Sequence, residues 1–600
     1  MAADALESKI MSRRDISFML YEWLDVESLI TRPRFQEHSR EVFDAVLDLA
    51  EKISVNDFAP HNRSADENEP RFDGERVHVI PEVGAALKAF NKSGLFGGAM
   101  DSEVGGGQIP NVIHRACFTW LQAANVATSG YPMLTMASAN LLCAHGTEEQ
   151  VSRFVLPMVD GSFFGTMCMS EPQAGSSLAD VTTVAISNGE GSFRLFGSKM
   201  WISGGDHDLS QNIVHLVLAR TQDAPRGVKG LSLFIVPKFL VEPDGTQGQR
   251  NDVVLAGINH KMGFRGTVNT VLNFGEGAFT PDGEAGAIGY LVGTENEGLT
   301  YMFHMMNEAR LVVGAGAVAL GYTSYLHALD YARGRLQGRL PGRNGPLDAP
   351  VPIVMHADVR RMLLASKSYV EGGLALVLFS AKLLDEQETA SLEADRLRAE
   401  LLLDVLTPIV KAWPSKWCLT ANHHAIQIHG GYGYSRDYPV EQFYRDNRLN
   451  SIHEGTDGIQ ALDLLGRKVI ENSGSGLRIL AESIKETVRR STIELNDYAT
   501  RLRESIERIQ LVTESLWEGG DSRRALANAT IYADCLGHVV IAWMWLEQCI
   551  VASGKEGPFY DGKRAAAHYF YTYELPTIEP QLNLLEVGDN LLLELDVVAL

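Results

Sequence analysis

The stretch from Thr166 to Thr280 constrains this chain most, because it breaks an otherwise helical sequence with a block of β character. Val181–Ile186, Phe193–Phe196, Ile213–Ala219 and Leu231–Val236 are short runs rich in β-branched and aromatic residues, separated by Gly, Asp, Asn and Pro. No helical pattern lies between them. An antiparallel sheet or small barrel is therefore expected, rather than a parallel sheet with helical crossovers.

The flanks read as helices. Apolar residues from Glu37 to Ile53 fall close to a 3.6-residue period, after a short amphipathic lead-in at Phe18–Leu24. Val112–Ala127 and Met133–His145 follow, and Thr147 with Gln150 three residues later forms a helix-start pattern. His61–Gly74 reads as a loop. Beyond the β block, Leu299–Tyr331, Ile353–Lys382, Ser391–His429 and Gly455–Glu471 suggest an antiparallel four-helix bundle, with Gln337–Pro352 as a connecting loop. Asn472–Gly476 has the composition of a linker. Leu477–Leu516 and Ala525–Val551 then form a further helical block. The fold class is α+β, mostly α, in four parts: an N-terminal helical domain over 1–165, a middle β domain over 166–294, a bundle over 295–471 and an appended helical domain over 472–600.

Six hundred residues are too many for a single core, in agreement with that division. The net charge of −22 argues against a nucleic-acid binder, which needs a basic footprint. Cys117, Cys143, Cys168, Cys418, Cys535 and Cys549 are scattered without a CxxC pair and read as buried free thiols in a reducing cytoplasm. The residues from Met1 to Glu7 lack the basic-then-apolar pattern of a secretory signal. Leu311–Leu320 is too short and Gly-rich to span a bilayer, so no membrane insertion is expected.

Several stretches could carry chemistry. Gln427-Ile428-His429-Gly430-Gly431-Tyr432-Gly433-Tyr434 concentrates glycines and aromatics, and Ile452-His453-Glu454-Gly455-Thr456 places a carboxylate at a helix start with Thr456 as N-cap. Glu454 is either a solvated dipole partner or a base. His453-Glu454-Gly455-Thr456-Asp457 begins like HExxH but lacks the second His, so no metal site is expected there. The adjacent His423 and His424 point to different helix faces and read as structural. The GxGxxA pattern at Gly314–Ala319 sits inside a helical run, where small residues serve close packing better than dinucleotide binding. Trp201-Ile202-Ser203-Gly204-Gly205 sets a flat aromatic beside a hydroxyl and reads either as a core hairpin Trp or as a partner for a planar ring. The loop Met167-Cys168-Met169-Ser170-Glu171-Pro172-Gln173-Ala174-Gly175-Ser176-Ser177 offers hydroxyls and backbone N–H groups.

Taken together, in this order, these stretches resemble the acyl-CoA dehydrogenase family. Ser170–Ser176 is similar to its TEPGAGS loop, Trp201-Ile202-Ser203 to its WIT/WIS strand, Tyr331-Ala332 with Arg335-Leu336-Gln337 to its YAxxRxQ segment, Gln427–Tyr434 to QxHGGxGY, and Tyr444-Arg445-Asp446 through Glu454-Gly455-Thr456 to YRD…YEGT. The likeness covers roughly residues 90–470. The extra N-terminal segment and the appended helices resemble a larger bacterial branch acting on 3-methylmercaptopropionyl-CoA or on fatty acyl-CoA of broad range.

The resemblance implies FAD held by the β domain, the bundle and a neighbouring subunit. It implies cofactor contacts from Met167, Met169, Ser170, Ser176, Trp201, Ile202, Ser203, Thr456 and Gly458. Arg335, Gln337, Gln427, Gly430 and Gly431 would bind the ADP part, partly across a dimer interface. Ser176, Arg310 and Gly455 would face substrate. Glu454 would be the base that takes the α-proton of an acyl-CoA thioester while hydride passes to flavin N5, giving a trans-2-enoyl-CoA. Desolvation beside acyl chain and flavin should raise the pKa of such a base. Electron-transfer flavoprotein would accept the electrons in the cytoplasm, and a homodimer is expected because the appended domain would cover the tetramer-forming surface. The substrate would be 3-methylmercaptopropionyl-CoA or a short- or medium-chain acyl-CoA. Alternatives are a long-chain acyl-CoA dehydrogenase, an acyl-CoA oxidase and a non-dehydrogenating flavoprotein of the same fold. Gln173 and Ser177 depart from the Gly and Asp of the flavin loop, and His453 from the usual Tyr. An imidazole beside the base is expected to alter its pH dependence.

Overall fold

The computed structural model describes residues 8–189, 191–342, 345 and 349–600. The expectation for Met1–Glu7, and part of that for the Gln337–Pro352 loop, lies outside the described residues. The chain forms two compact units. One comprises Glu41–Ile109 and Trp120–Val312; the other comprises Met1–Arg40, Pro110–Thr119 and Val313–Leu600.

The first unit is built on an eight-stranded sheet: β1 (Phe163–Cys168), β2 (Val184–Ser187), β3 (Phe193–Ser203), β4 (Asn212–Thr221), β5 (Ser232–Pro237), β6 (Val253–Ile258), β7 (Asn269–Phe274) and β8 (Ala287–Leu291). The strand path is β6-β7-β3-β8-β5-β4-β1, and β2 pairs with both β3 and β4. β2 thereby closes a ring β3-β8-β5-β4-β2, which matches the small-barrel alternative of the sequence reading. The pairing is not wholly antiparallel: β1 and β2 each run parallel to β4. Alternation along the strands divides the interior. Leu216 and Leu218 of β4 and Leu233 and Ile235 of β5 join one cluster with Leu141, Phe154 and Met302, whereas Val217, Ala219, Phe234 and Val236 join another with Leu195, Ile202 and Leu272. The helix α1 (Val126–His145) packs on β1. A Cβ at Gly165 would fall 2.5 Å from the Ser138 side chain, so glycine is needed for that approach.

The second unit holds α2 (Ala357–Thr389), α3 (Glu393–His429) and the later part of a helix spanning Gly298–Gly334. The GxGxxA stretch is helical and buried, and a Cβ at Gly314 would lie 2.1 Å from the Val410 carbonyl oxygen. The glycine admits α3, as the packing reading expects. The expected helix Gly455–Glu471 is shorter: α4 spans Asp457–Asp463 and gives way to a π-turn over Leu464–Lys468. The expected long helix Leu477–Leu516 is two, Glu471–Arg490 and Asn496–Trp517. Asn472–Gly476 is not a flexible tether. Asn472, Ser473 and Gly474 take left-handed backbone in a tight corner, and Gly476 is buried against the Lys468 carbonyl. α5 (Ala529–Ala552) carries Trp543 and Trp545 into the core. The helices Gly298–Gly334, Ala357–Thr389 and Ala529–Ala552 are long and apolar enough to cross a membrane, but 89%, 83% and 89% of their apolar windows are buried within the protein. Five of the cysteines are buried, whereas Cys143 is exposed.

Candidate active site

In the sheet-bearing unit, Met167 lies near the end of β1, and Met169 and Ser170 lead into a loop organised by Glu171. Its buried carboxylate accepts from six donors: Lys199 Nζ at 2.9 Å, Thr183 N at 3.0 Å, Thr183 Oγ1 at 2.6 Å, Thr182 N at 2.8 Å, Thr182 Oγ1 at 2.7 Å and Gln173 Nε2 at 2.7 Å. Burial alone would raise the Glu171 pKa, but the Lys199 charge and these hydrogen bonds push it down to about 2. Lys199 is itself buried and also donates to the Met169 carbonyl, 3.1 Å away. Gln173 thus anchors the loop through its amide, and Ser177 Oγ donates to Asp180 Oδ2 at 2.9 Å. The two departures from the family loop have local partners. Ser176 lies exposed at the loop's edge.

Beside this loop β3 carries a bulge. Its pairing with β7 jumps from Ile202 to Met200, leaving Trp201 unpaired at φ +66. A left-handed backbone at a bulky aromatic is a marked outlier, and it turns the ring outward: Trp201 is 58% exposed. The core-hairpin alternative for this Trp is set aside. Met200 N donates to the Ser170 carbonyl at 3.0 Å, tying loop to strand. Ile202 is buried, and Ser203 Oγ accepts from Asn269 Nδ2 at 3.1 Å. Arg310 is buried, with Nη1 3.5 Å from Asn307 Oδ1.

In the other unit, α3 ends at Gly430, whose φ of +62 with ψ of −136 suits glycine alone. No atom lies within 4 Å of a Cβ built on Gly430 or Gly431, so this backbone faces open space. Gln427 is exposed on the last helical turn. Tyr331 stacks on His429 at 4.2 Å, Tyr438 meets both edge-on, and the exposed Arg335 guanidinium lies 5.8 Å from the Tyr432 ring. Gln337 is exposed, its N–H donating to the Val351 carbonyl at 3.0 Å.

Glu454 sits at φ +53 and Gly455 at φ +90, just before α4. Thr456 caps that helix, its Oγ1 accepting from Ile459 N at 3.3 Å. Gly458 lies in the first turn. Gln460 Nε2 donates to the Glu454 carbonyl at 3.0 Å and to the Gly455 carbonyl at 3.4 Å. His453 Nε2 pairs with Asn450 Oδ1 at 2.9 Å, and burial together with the Lys411 charge pushes its pKa down to about 3. That depressed pKa favours the neutral imidazole at neutral pH. Sequence reasoning missed Glu171, Lys199 and Gln460. The spacing of Gln460 one helical turn beyond Thr456 was the available signal for the last. Among the described residues no group of three or more His, Cys, Asp or Glu could hold a metal ion.

Four family models match in succession: the N-terminal domain of acyl-CoA dehydrogenase over residues 40–162, its middle domain over 166–275, its C-terminal domain over 296–469, and an acetyl-CoA dehydrogenase C-terminal-like model over 480–596. A 3-methylmercaptopropionyl-CoA dehydrogenase of Ruegeria pomeroyi is 36% identical, over 96% of this chain and 98% of its own. This chain belongs to the acyl-CoA dehydrogenase family. A broad-specificity linear acyl-CoA dehydrogenase of Mycobacterium tuberculosis is 32% identical over 98% of each chain. The fold is shared with an acyl-CoA dehydrogenase of Bacillus anthracis solved with FAD, at TM-score 0.74, 19% identity and coverage of 93% of this chain and 90% of that one. It is shared too with Caenorhabditis elegans ACDH-11 solved with C11-CoA, at TM-score 0.73, 17% identity and coverage of 97% and 94%.

Proposed function

We propose that the protein is an FAD-dependent acyl-CoA dehydrogenase in which Glu454 removes the α-proton of the thioester. The observation that carries this reading is Glu454 itself: a carboxylate on left-handed backbone, held by an adjacent helix, in a family of acyl-CoA dehydrogenases. The residues present suit FAD. Trp201 offers an exposed ring face, Ser170 and Ser203 bring hydroxyls to its two sides in sequence, Met167 and Met169 supply apolar surface, and Ile202 anchors the strand from the core side. The exposed Arg335 with Gln337, Gln427 and the open Gly430–Gly431 backbone suits a pyrophosphate. When bound, FAD supplies the acceptor for the β-hydrogen as hydride.

The chain's own groups do the rest. Glu454 takes the α-proton, and its backbone N–H donates to the thioester oxygen as enolate charge develops. Gly455 leaves the approach to that oxygen clear, while Thr456 and Gly458 hold the helix start beside the cofactor. Ser176 and Arg310 bind the substrate's polar parts. The product is a trans-2-enoyl-CoA. The 3-methylmercaptopropionyl-CoA and broad-specificity linear acyl-CoA dehydrogenases among the relatives support 3-methylmercaptopropionyl-CoA or a short- or medium-chain acyl-CoA as substrate. Electron-transfer flavoprotein, in the cytoplasm, is the acceptor in this reading. The assembly is a homodimer, checked by light scattering.

Glu454→Gln should retain the yellow flavin but not be bleached by acyl-CoA without oxygen. Bleaching at the wild-type rate would refute the assignment. The same assay run with butanoyl-, octanoyl-, palmitoyl- and 3-methylmercaptopropionyl-CoA fixes the chain length.

A further inference from the structure

Two consecutive residues at the proposed base have left-handed backbone, Glu454 at φ +53 and Gly455 at φ +90. Glycine tolerates this; glutamate adopts it only where the surroundings hold it. Gln460 is the residue placed to do so. It is fully buried in the first turns of α4. Its side-chain amide donates to the Glu454 carbonyl at 3.0 Å and to the Gly455 carbonyl at 3.4 Å. Facing two carbonyl oxygens fixes which end of the amide is nitrogen. Its own backbone N–H donates to the Thr456 carbonyl at 3.0 Å, so the brace stands on a regular helix. The fit is close: a Cβ on Gly455 would lie 2.6 Å from Gln460 Nε2.

We propose that Gln460 is a positioning residue for proton abstraction, its amide locking the Glu454–Gly455 turn so that the Glu454 carboxylate projects toward the α-carbon. This rests on Glu454 being the base. A glutamate released from φ +53 relaxes toward negative φ, which swings its Cα–Cβ bond and moves the carboxylate away from its line of attack. A displacement of about 1 Å at a reacting group lowers a rate by about a hundredfold. The two carbonyls that Gln460 holds are already engaged by its amide, so the loss should fall on the chemical step and not on binding.

The test uses two apolar variants of the flavin-loaded enzyme. Gln460→Met and Gln460→Leu both keep most of the volume and remove the donor. Anaerobic bleaching by butanoyl-CoA and by its α-dideuterated form is followed by stopped flow, with flavin content and melting measured alongside. Both variants should retain FAD and the wild-type half-saturation concentration, bleach on the order of tenfold to a hundredfold more slowly, and show a larger deuterium effect. Bleaching within about twofold of wild type in both variants would sink the proposal. So would loss of FAD from both, which would make Gln460 a cofactor-retention residue. Glu454→Gln run in parallel separates the two failures. If that variant bleaches normally, the base assignment fails; if it is inert while the Gln460 variants are normal, only the brace fails.

Discussion

Glu171→Gln tests whether the loop before β2 is held by one buried charge. Each carboxylate oxygen accepts three hydrogen bonds: Oε1 from Lys199 and from the backbone and hydroxyl of Thr183, Oε2 from Gln173 and from the backbone and hydroxyl of Thr182. An amide keeps one acceptor and turns its NH2 toward three donors, and it leaves Lys199, with a side chain 0% exposed, without its counter-charge. Stranding one partner of a buried pair costs about 3–5 kcal/mol. The pKa gives an independent figure. Held at about 2 against the ordinary 4.5, the carboxyl contributes about 3 kcal/mol. Because the folded pKa is depressed, that stability is complete above the unfolded pKa and is lost as pH falls through the folded value. Thermal melting of the sheet-bearing unit, with FAD retention measured in parallel, should therefore show a deficit of several degrees at neutral pH that narrows toward about pH 3. The loop reaches Trp201 through the Ser170–Met200 hydrogen bond, so FAD should also dissociate more readily. A variant that melts within about 1 kcal/mol of wild type, with the same pH dependence, would refute the reasoning.

His453→Tyr should leave the shape of the pH–rate profile unchanged, because the imidazole is already neutral above about 3; a displaced limb in stopped-flow bleaching would overturn that. As its folded pKa is depressed, His453 instead makes the wild type less stable as pH falls below 6.5, and the Tyr variant should lose that part of acid sensitivity in melting curves. Gly314→Val should lower stability by about 1–3 kcal/mol, because the new side chain meets the Val410 carbonyl and must separate two buried helices. A melting temperature equal to wild type would show that α3 can yield.

The long helices were legible because their apolar residues repeat near 3.6 over many turns, and the capping pattern of Thr147 with Gln150 is present down to its reciprocal hydrogen bonds. The strands were legible only where β-branched runs are dense. β1 is divided by the sequence reading, its first residues falling with the helical domain and Met167–Cys168 with a loop, because Gly165 interrupts it, yet that glycine is what lets the strand approach α1. β6 and β7 hide behind Asn and Gly, and β7 pairs through a bulge that no period-2 pattern encodes. At the candidate site the residue types were legible but their backbone was not. Nothing in the propensity of Glu or Trp announces φ +53 at Glu454 or φ +66 at Trp201, since both depend on what packs around them. The Glu171–Lys199 pair spans 28 positions and is invisible to any local reading.

Buried charge also joins the segments flanking the bundle into one unit. Lys563, from the appended helices, sits buried between Asp15 of the N-terminal segment and Glu371 of α2, whose Oε2 is 2.8 Å away; it also donates to Gln548 Oε1 at 2.9 Å. Lys367 pairs with Glu371, and Tyr322 donates to Asp15 at 2.9 Å. Burial raises the Asp15 pKa, whereas the two ammonium groups overcome burial at Glu371 and lower its pKa. Two carboxylates and two lysines thus balance only when the N-terminal segment, the bundle and the appended helices are all in place. Apolar contact tolerates a partial assembly, because each buried methylene contributes separately. A buried ionic cluster does not, because removing any member strands a charge in a medium that cannot solvate it. The linker-like Asn472–Gly476 corner therefore has no need of flexibility: the appended helices beyond it are fixed by charge to the segment before the bundle, and the chain turns there as tightly as its glycines allow.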